Sequence, residues 1–367
     1  MKNNKKTRIS LFVTGVLVLV VLISSIFFLG DKGKGDKTII GFIMSGSAQE
    51  EGWNGMHYAG VMEAGKELDV EISVKESVKE FSGECENAIR ELAEEGAKMI
   101  ILSSYGYSEE VQDVVTQYPE IVFYANSPDF QEKNMTSYFV RMYQARYLAG
   151  ILAGMQTKTN QIGYVAAMSN NEVNRGINAF TLGVKSVNPD ASVIVAWTNS
   201  WDDKAAEQTA VKQLVSQENI DVITYHQNQT HVIEAAEEAG IYSIGYHQAV
   251  EGFSEKYITT VACDWKQTYK GLIREFLQGN GNVKLNFWLG MDQDAIKLTE
   301  YSSLVTEEQK NAVEQAKTEL LSGKEVFSGK IYDSNGTLRC DENENISDEV
   351  LLKELDWFVE GVKFYEE

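Results

Sequence analysis

Short apolar runs rich in β-branched residues alternate with stretches of helical periodicity along most of the chain. This alternation restricts the fold more than any other feature of the sequence. Residues 39–44, IIGFIM, read as a buried strand, and a helical pattern opens near Trp53, with Met56, Ala59, Gly60 and Ala64 at helical spacing. Further strands are expected at 70–74, 98–102 and 121–125, with helices at 85–95 and 109–118 between them. A second series follows, with strands at 161–167, 192–197, 220–225, 242–246 and 257–262 and helices at 172–188, 204–217, 231–239 and 265–277. Strand, helix and strand in repeated order build a parallel sheet covered on both faces.

The two series share a layout. Residues 97–126 give a strand, the loop SSYGYS, a helix and IVFYAN; residues 220–247 give a strand, the loop HQNQT, a helix and IYSIGYH. Between the series, residues 138–154 begin as a strand and become an apolar helix whose Ala145, Ala149, Gly150 and Gly154 permit close packing. Beyond them a strand is expected at 284–290, an amphipathic helix at 306–322, a turn at Asn335-Gly336 within 331–338, and a helix at 347–362. Two α/β lobes facing each other would form a cleft, a preferred place for a small molecule. Ligands of open α/β sheets bind beyond the strands' carboxyl ends, where the small residues Ser45, Gly46, Ser47 and Ala48 lead into Trp53, Asn54, His57 and Tyr58. Two roles are open to Trp53 and Tyr58: a flat apolar face for a ligand, or packing of the helix onto the sheet.

The first residues are of another kind. Lys2, Lys5, Lys6 and Arg8 precede an uncharged run, residues 9–30, long enough to cross a bilayer once. The basic side should stay in the cytoplasm, which puts residue 31 onward outside. The run exceeds a usual signal-peptide core and ends in no clear A-x-A site, so it reads as an uncleaved anchor, with a cleaved signal as the alternative. Residues 31–37, DKGKGDK, read as a tether. The first 37 residues hold 7 of the 33 Lys/Arg and 2 of the 54 Asp/Glu, which leaves 26 basic against 52 acidic groups, about −26, for the remainder. Such a surface repels nucleic-acid phosphate, so no nucleic-acid polymer is expected as a partner. Cys85, Cys263 and Cys340 are far apart and form no CxxC, and reduced, buried thiols are the default. GxSxG, HExxH, GxxxxGK[ST] and GxGxxG are missing, and His226 and His231, five apart, make a weak metal pair. No catalytic residue, cofactor or metal is implied.

The segments IIGFIMSG…GWN, YFVRMYQARYLAGILAG, NRGINAFTLGVKSVNPDA, WTNSWDDKAAEQTAVKQL and IYDSNGTLRCDENENISDEVLLKELDWFVEGV carry a family resemblance spanning nearly all of residues 38–362. In this order they resemble the basic membrane protein (BMP or Med-like) family of bacterial solute-binding proteins that serve ABC importers. The resemblance implies two Rossmann-like lobes of the periplasmic-binding-protein type I kind, joined by a hinge of crossing strands, with the solute held between them. It places residues 38–155 with about 284–305 in the first lobe and 156–283 with about 306–367 in the second. It implies a purine-type ligand, permease and ATPase partners, and no enzymatic activity. Trp53, Trp201 and Trp265 become stacking candidates; Asn54, Tyr105, Asn126, Asn199, Gln227, Asn228 and His247 become polar or edge contacts. His247 stands where nucleoside-binding members tend to carry Asp, which turns the expectation from a ribose toward a free base. The lipobox cysteine common in the family is missing, and the first helix would replace the lipid. A membrane-anchored sensor using the same cleft is the second reading, and a nucleoside hydrolase-like surface enzyme the third.

If residues 9–30 anchor the chain, the full-length protein stays in the membrane fraction after a high-salt wash, and a variant lacking residues 1–30 is recovered soluble and folded. A mature protein released with a processed N-terminus would show the run to be a signal peptide.

Overall fold

The computed structural model describes residues 37–50, 52–126, 133–247, 249–279 and 287–366. The expected membrane helix at 9–30 lies outside them; among the described residues no helix is long and apolar enough to cross a membrane. From Ile39 onward the described residues form one compact unit.

The first lobe opens with β1 (Ile39–Ile43), α1 (Trp53–Leu68), β2 (Glu71–Lys75), α2 (Glu84–Glu94), β3 (Met99–Leu102), the short helices α3 (Tyr107–Glu110) and α4 (Gln112–Val115), β4 (Val122–Ala125) and β5 (Met135–Val140). The chain continues through α5 (Met142–Gln156), β6 (Gln161–Ala166), α6 (Asn171–Val187), β7 (Ser192–Trp197), α7 (Lys204–Glu218), β8 (Val222–His226), α8 (His231–Ala239), β9 (Tyr242–His247) and β10 (Tyr257–Cys263). It ends with α9 (Trp265–Gly279), β11 (Phe287–Leu289), β12 (Ile296–Leu298), α10 (Glu307–Leu321), β13 (Ile331–Tyr332), β14 (Leu338–Cys340), α11 (Asp348–Lys353) and β15 (Val362–Phe364).

Among the described residues these strands make two large sheets, ordered β11-β5-β4-β3-β1-β2 and β12-β10-β9-β8-β6-β7-β15. The first is parallel throughout; the second is parallel except for β12, which runs antiparallel to β10. Within each, the order 2-1-3-4-5 recurs, so the duplication seen in the sequence is one of topology. Strand order reverses between β1 and β3 and again between β6 and β8, and each reversal opens a crevice at the carboxyl ends of the strands.

The sheets exchange elements in a way the division at residue 155 did not anticipate. After β5 the chain passes to α5, which packs on α6 of the second lobe; after β10 it passes to α9, which packs on α1 of the first. After β11 it returns to β12, in the second sheet rather than the first. The physical reason for the placement of α5 is its small residues. A Cβ on Gly150 would overlap the Phe180 carbonyl oxygen, and a Cβ on Gly183 would overlap that of Tyr147. Two glycines, one from each helix, therefore let α5 and α6 approach backbone to backbone, and the apolar core runs continuously through them from one sheet to the other. A smaller apolar cluster lies on the other face of the first sheet, around Ile43, Ile89, Leu92, Ile100 and Phe123.

Three local expectations are corrected. The helix expected at 109–118 is two short turns broken at Val111, and the Asn134 amide takes the carbonyls of Val115, Tyr118 and Ile121 at 3.0, 3.0 and 3.1 Å. The strand expected at 284–290 is Phe287–Leu289, the earlier residues lying outside those described. The helix expected at 347–362 stops at Lys353; Ser347 caps its start by accepting from the Val350 N–H. Its continuation is held extended by α6: Asn174 donates to the Leu355 carbonyl at 2.8 Å, and Asn178 donates to that of Trp357 at 2.9 Å while accepting from Val359 N–H at 3.0 Å. Residues Val362–Phe364 then add to β7 as an edge strand. Cys85, Cys263 and Cys340 are buried free thiols.

Gly183→Ala is expected to lower the unfolding free energy by about 1–3 kcal/mol, the usual cost of forcing volume into a close-packed contact. Urea denaturation of the variant checks this; unchanged stability would mean that the two helices do not depend on this contact.

Candidate functional site

The crevices at the two strand-order reversals meet in one cavity of about 90 Å³, lined by Ser45, Trp53, Glu80, Ser104, Tyr105 and Asn126 from the first lobe and Glu172, Trp201, His226, Asn228, Tyr246 and His247 from the second. Apart from Trp53, which opens α1, each lies at or just beyond the carboxyl end of a strand: Ser45 after β1, Glu80 after β2, Ser104 and Tyr105 after β3, Asn126 after β4, Glu172 after β6, Trp201 after β7, Asn228 after β8, with His226, Tyr246 and His247 ending β8 and β9. The lobes touch at the rim, where a Cβ on Gly52 would overlap the Asn228 carbonyl oxygen.

Trp53 forms one wall. Its indole N–H donates to the Ser103 carbonyl at 3.1 Å, and its ring lies 4.1 Å from His57 and 4.8 Å from His247. Asn126 donates to the same Ser103 carbonyl at 3.2 Å, so the two side chains are fixed against one backbone oxygen. Glu80 accepts from the Ser104 hydroxyl and the Gly106 N–H, both at 2.6 Å, tying the loop after β2 to the loop after β3. Behind Trp53, His57 is fully buried, stacks 3.8 Å from Trp265 and bonds through Nδ1 to the Tyr269 hydroxyl, which in turn meets that of Tyr138 at 3.1 Å.

The opposite wall is an aromatic and imidazole layer. Tyr246 sits between His247, at 3.9 Å, and the Arg146 guanidinium, 4.0 Å from its ring. Arg146 reaches this position from α5 and is held by the Thr224 hydroxyl at 3.2 Å and the Tyr225 carbonyl at 2.7 Å. The His226 Nε2 lies 2.8 Å from the Tyr246 hydroxyl and 3.4 Å from Glu172 Oε1. Burial pushes the pKa of His57, His226 and His247 below the usual imidazole value; at His226 the Glu172 carboxylate opposes the shift in part. At neutral pH all three rings are therefore uncharged. A neutral His226 satisfies its neighbours with the proton on Nε2, shared between the tyrosine oxygen and the carboxylate.

Among the described residues lining the cavity there is no Lys or Arg and there are two carboxylates. The lining suits a neutral or cationic ligand rich in N–H or O–H donors and disfavours phosphates. Among the described residues no group of His, Cys, Asp and Glu is placed to hold a metal ion.

Of the residues singled out in the sequence, Trp53, Tyr105, Asn126, Trp201, Asn228 and His247 come together here. Four do not. Asn54 is buried, donating to Glu50 at 2.8 Å and facing the Ser45 hydroxyl at 3.4 Å. Asn199 occupies a left-handed position, φ 56°, on an exposed turn. The Gln227 amide is buried against the Thr198 hydroxyl at 2.8 Å. Trp265, 2% exposed, is core that supports His57 and Trp53. Ser45, Glu80, Ser104, Glu172, His226 and Tyr246 were missed. The position of Glu80 after a strand was the available signal for it; Glu172 looked like an ordinary acidic residue in the first turn of a helix.

The family model for Bmp, ABC transporter substrate-binding protein PnrA-like, matches residues 37–328. A purine-binding protein of Brucella abortus is 30% identical over 92% of this chain and 96% of its own length. A Haloferax volcanii protein, provisionally named an ABC transporter glucose-binding protein, is 30% identical over 91% of this chain and 82% of its own. Among solved structures, a transcriptional activator of the comK gene from Bacillus halodurans superposes with a TM-score of 0.67 at 22% identity, covering 78% of this chain and 99% of that one. An ABC transporter solute-binding protein of Aeropyrum pernix superposes with a TM-score of 0.66 at 19% identity, covering 78% and 92%. The fold, two α/β lobes of the periplasmic-binding-protein type, is common to them. The chain belongs to the Bmp family of ABC transporter substrate-binding proteins.

Proposed function

We propose that this protein captures a purine-type heterocycle on the outer side of the membrane, a free base in preference to a nucleoside, and delivers it to the permease and ATPase subunits of an ABC importer. Residues 9–30 would hold it at the membrane. The observation that carries the ligand class is the pairing of flat faces with uncharged and acceptor groups. Trp53, Tyr105 and Trp201 offer stacking surfaces, while Asn126, Asn228, Glu80 and Glu172 surround the edge of whatever stacks there. Size agrees with a small flat ligand: the cavity is compact, about 90 Å³. The name of the Brucella relative agrees with a purine. That of the Haloferax relative supplies the competing reading, a sugar, since aromatic faces and carboxylates also bind sugars.

The test is thermal unfolding of the purified protein with adenine, adenosine or glucose. Adenine is expected to raise the melting temperature most; a ligand at a hundred times its Kd adds about 2.7 kcal/mol to the native state. Stabilisation by glucose and by neither purine would overturn the assignment.

Trp53→Ala is expected to weaken adenine binding by roughly 10- to 100-fold, in line with about 1–3 kcal/mol for one stacked base. Calorimetric titration together with denaturation of the ligand-free variant checks this. An early-unfolding variant whose folded fraction binds normally would reassign Trp53 to the core.

A further inference from the structure

The ligand cavity adjoins a second, smaller chamber beside the chain crossings. This chamber, about 20 Å³, is lined by Ser137, Tyr138, Arg175 and Trp288 among others, and it shares Tyr105, Asn126 and Glu172 with the ligand cavity. It has room for about one water-sized group. The Trp288 ring in its wall lies 4.2 Å from the Arg141 guanidinium and 5.0 Å from that of Arg175. Arg175 is buried and donates to the Leu351 carbonyl of α11 at 2.6 Å; it feels the Glu172 charge but forms no ion pair with it.

Glu172 thus stands at the junction of the two spaces. Its side chain is 15% exposed, and Oε1 faces the neutral His226 at 3.4 Å. It forms no ion pair with Lys or Arg among the described residues. A largely buried carboxylate that meets a neutral imidazole at 3.4 Å and feels the Arg175 charge without pairing to it still has acceptor capacity to fill, and leaving it unfilled is costly.

We propose that Glu172 is the specificity-determining residue of this site, accepting a hydrogen bond from an amino substituent that the ligand directs toward the smaller chamber. The inference rests on the purine reading above. A ring that carries a carbonyl in the same place meets acceptor against acceptor and is rejected, because a site built to pair with a donor loses most when the donor is replaced. Asn126 can serve either substituent, since its amide both donates and accepts, so it does not discriminate. The carboxylate can only accept.

The experiment is calorimetric titration of the full-length protein in mild detergent with adenine and hypoxanthine, which carry amino and oxo at the same ring position, the adjacent ring nitrogen being an acceptor in adenine and an N–H in hypoxanthine. The native protein is expected to prefer adenine by at least about 10-fold. Glu172→Gln is expected to weaken adenine by roughly 10- to 100-fold, the usual range for losing a charge-assisted hydrogen bond, without weakening hypoxanthine, because the new amide can donate to its carbonyl. Glu172→Asp, which keeps the charge, is expected to retain the preference for adenine at reduced affinity. Equal loss for both bases in Glu172→Gln, or an unchanged preference, would overturn the inference; if that variant unfolds, Glu172→Asp binding both bases alike would overturn it. Failure of the native protein to bind either base is a different result, and it would remove the purine reading and this inference together.

Discussion

The close approach of α5 to α6 is the contact on which the rest of this structure depends. Gly150 and Gly183 bring the two backbones together, and everything near the site is measured from that contact. From α5, Arg146 reaches under the second sheet to hold Thr224, Tyr225 and the Tyr246 ring. From α6, Glu172 enters the cavity, while Asn174, Arg175 and Asn178 fasten the C-terminal segment. A methyl group at either glycine would separate the helices and displace both sets of side chains at once.

The cavity works by desolvation. His57, His226 and His247 are held neutral by burial, and the arginines near the site are turned toward carbonyls, hydroxyls and ring faces. What remains facing the open space is acceptor-rich and uncharged apart from two carboxylates. Such a lining offers aromatic faces and hydrogen-bond acceptors. It also accords with an acidic protein, whose long-range field disfavours anionic solutes before they arrive.

The two lobes contribute unequally. The first supplies Trp53, anchored with Asn126 to the Ser103 carbonyl, and a Glu80 already spent on bracing its own loops. The second supplies the imidazole and tyrosine layer and a carboxylate with capacity to spare. Each lobe thus brings an aromatic face and a carboxylate to the cavity, which is complete only where the two meet.

The sequence by itself determined the alternation of strands and helices, and with it the two parallel sheets, because hydrophobic period and turn chemistry are local properties. It also pointed to the loops at the strand ends, and the family resemblance suggested Trp53, Tyr105, Asn126, Trp201, Asn228 and His247, which the fold gathers around one cavity. Tertiary structure decided what local pattern could not. Asn54 and Gln227 look as available as Asn126 in the sequence, yet each is consumed by a neighbour within its own lobe. Trp265 begins a helix just as Trp53 does, but α9 crosses back onto α1 and buries it. The last helix fails because Asn174 and Asn178, far away in the chain, claim the carbonyls it would have used. Glu172, an ordinary first-turn acid in the sequence, gains its meaning from His226, 54 residues on, which only the folded second sheet places 3.4 Å away.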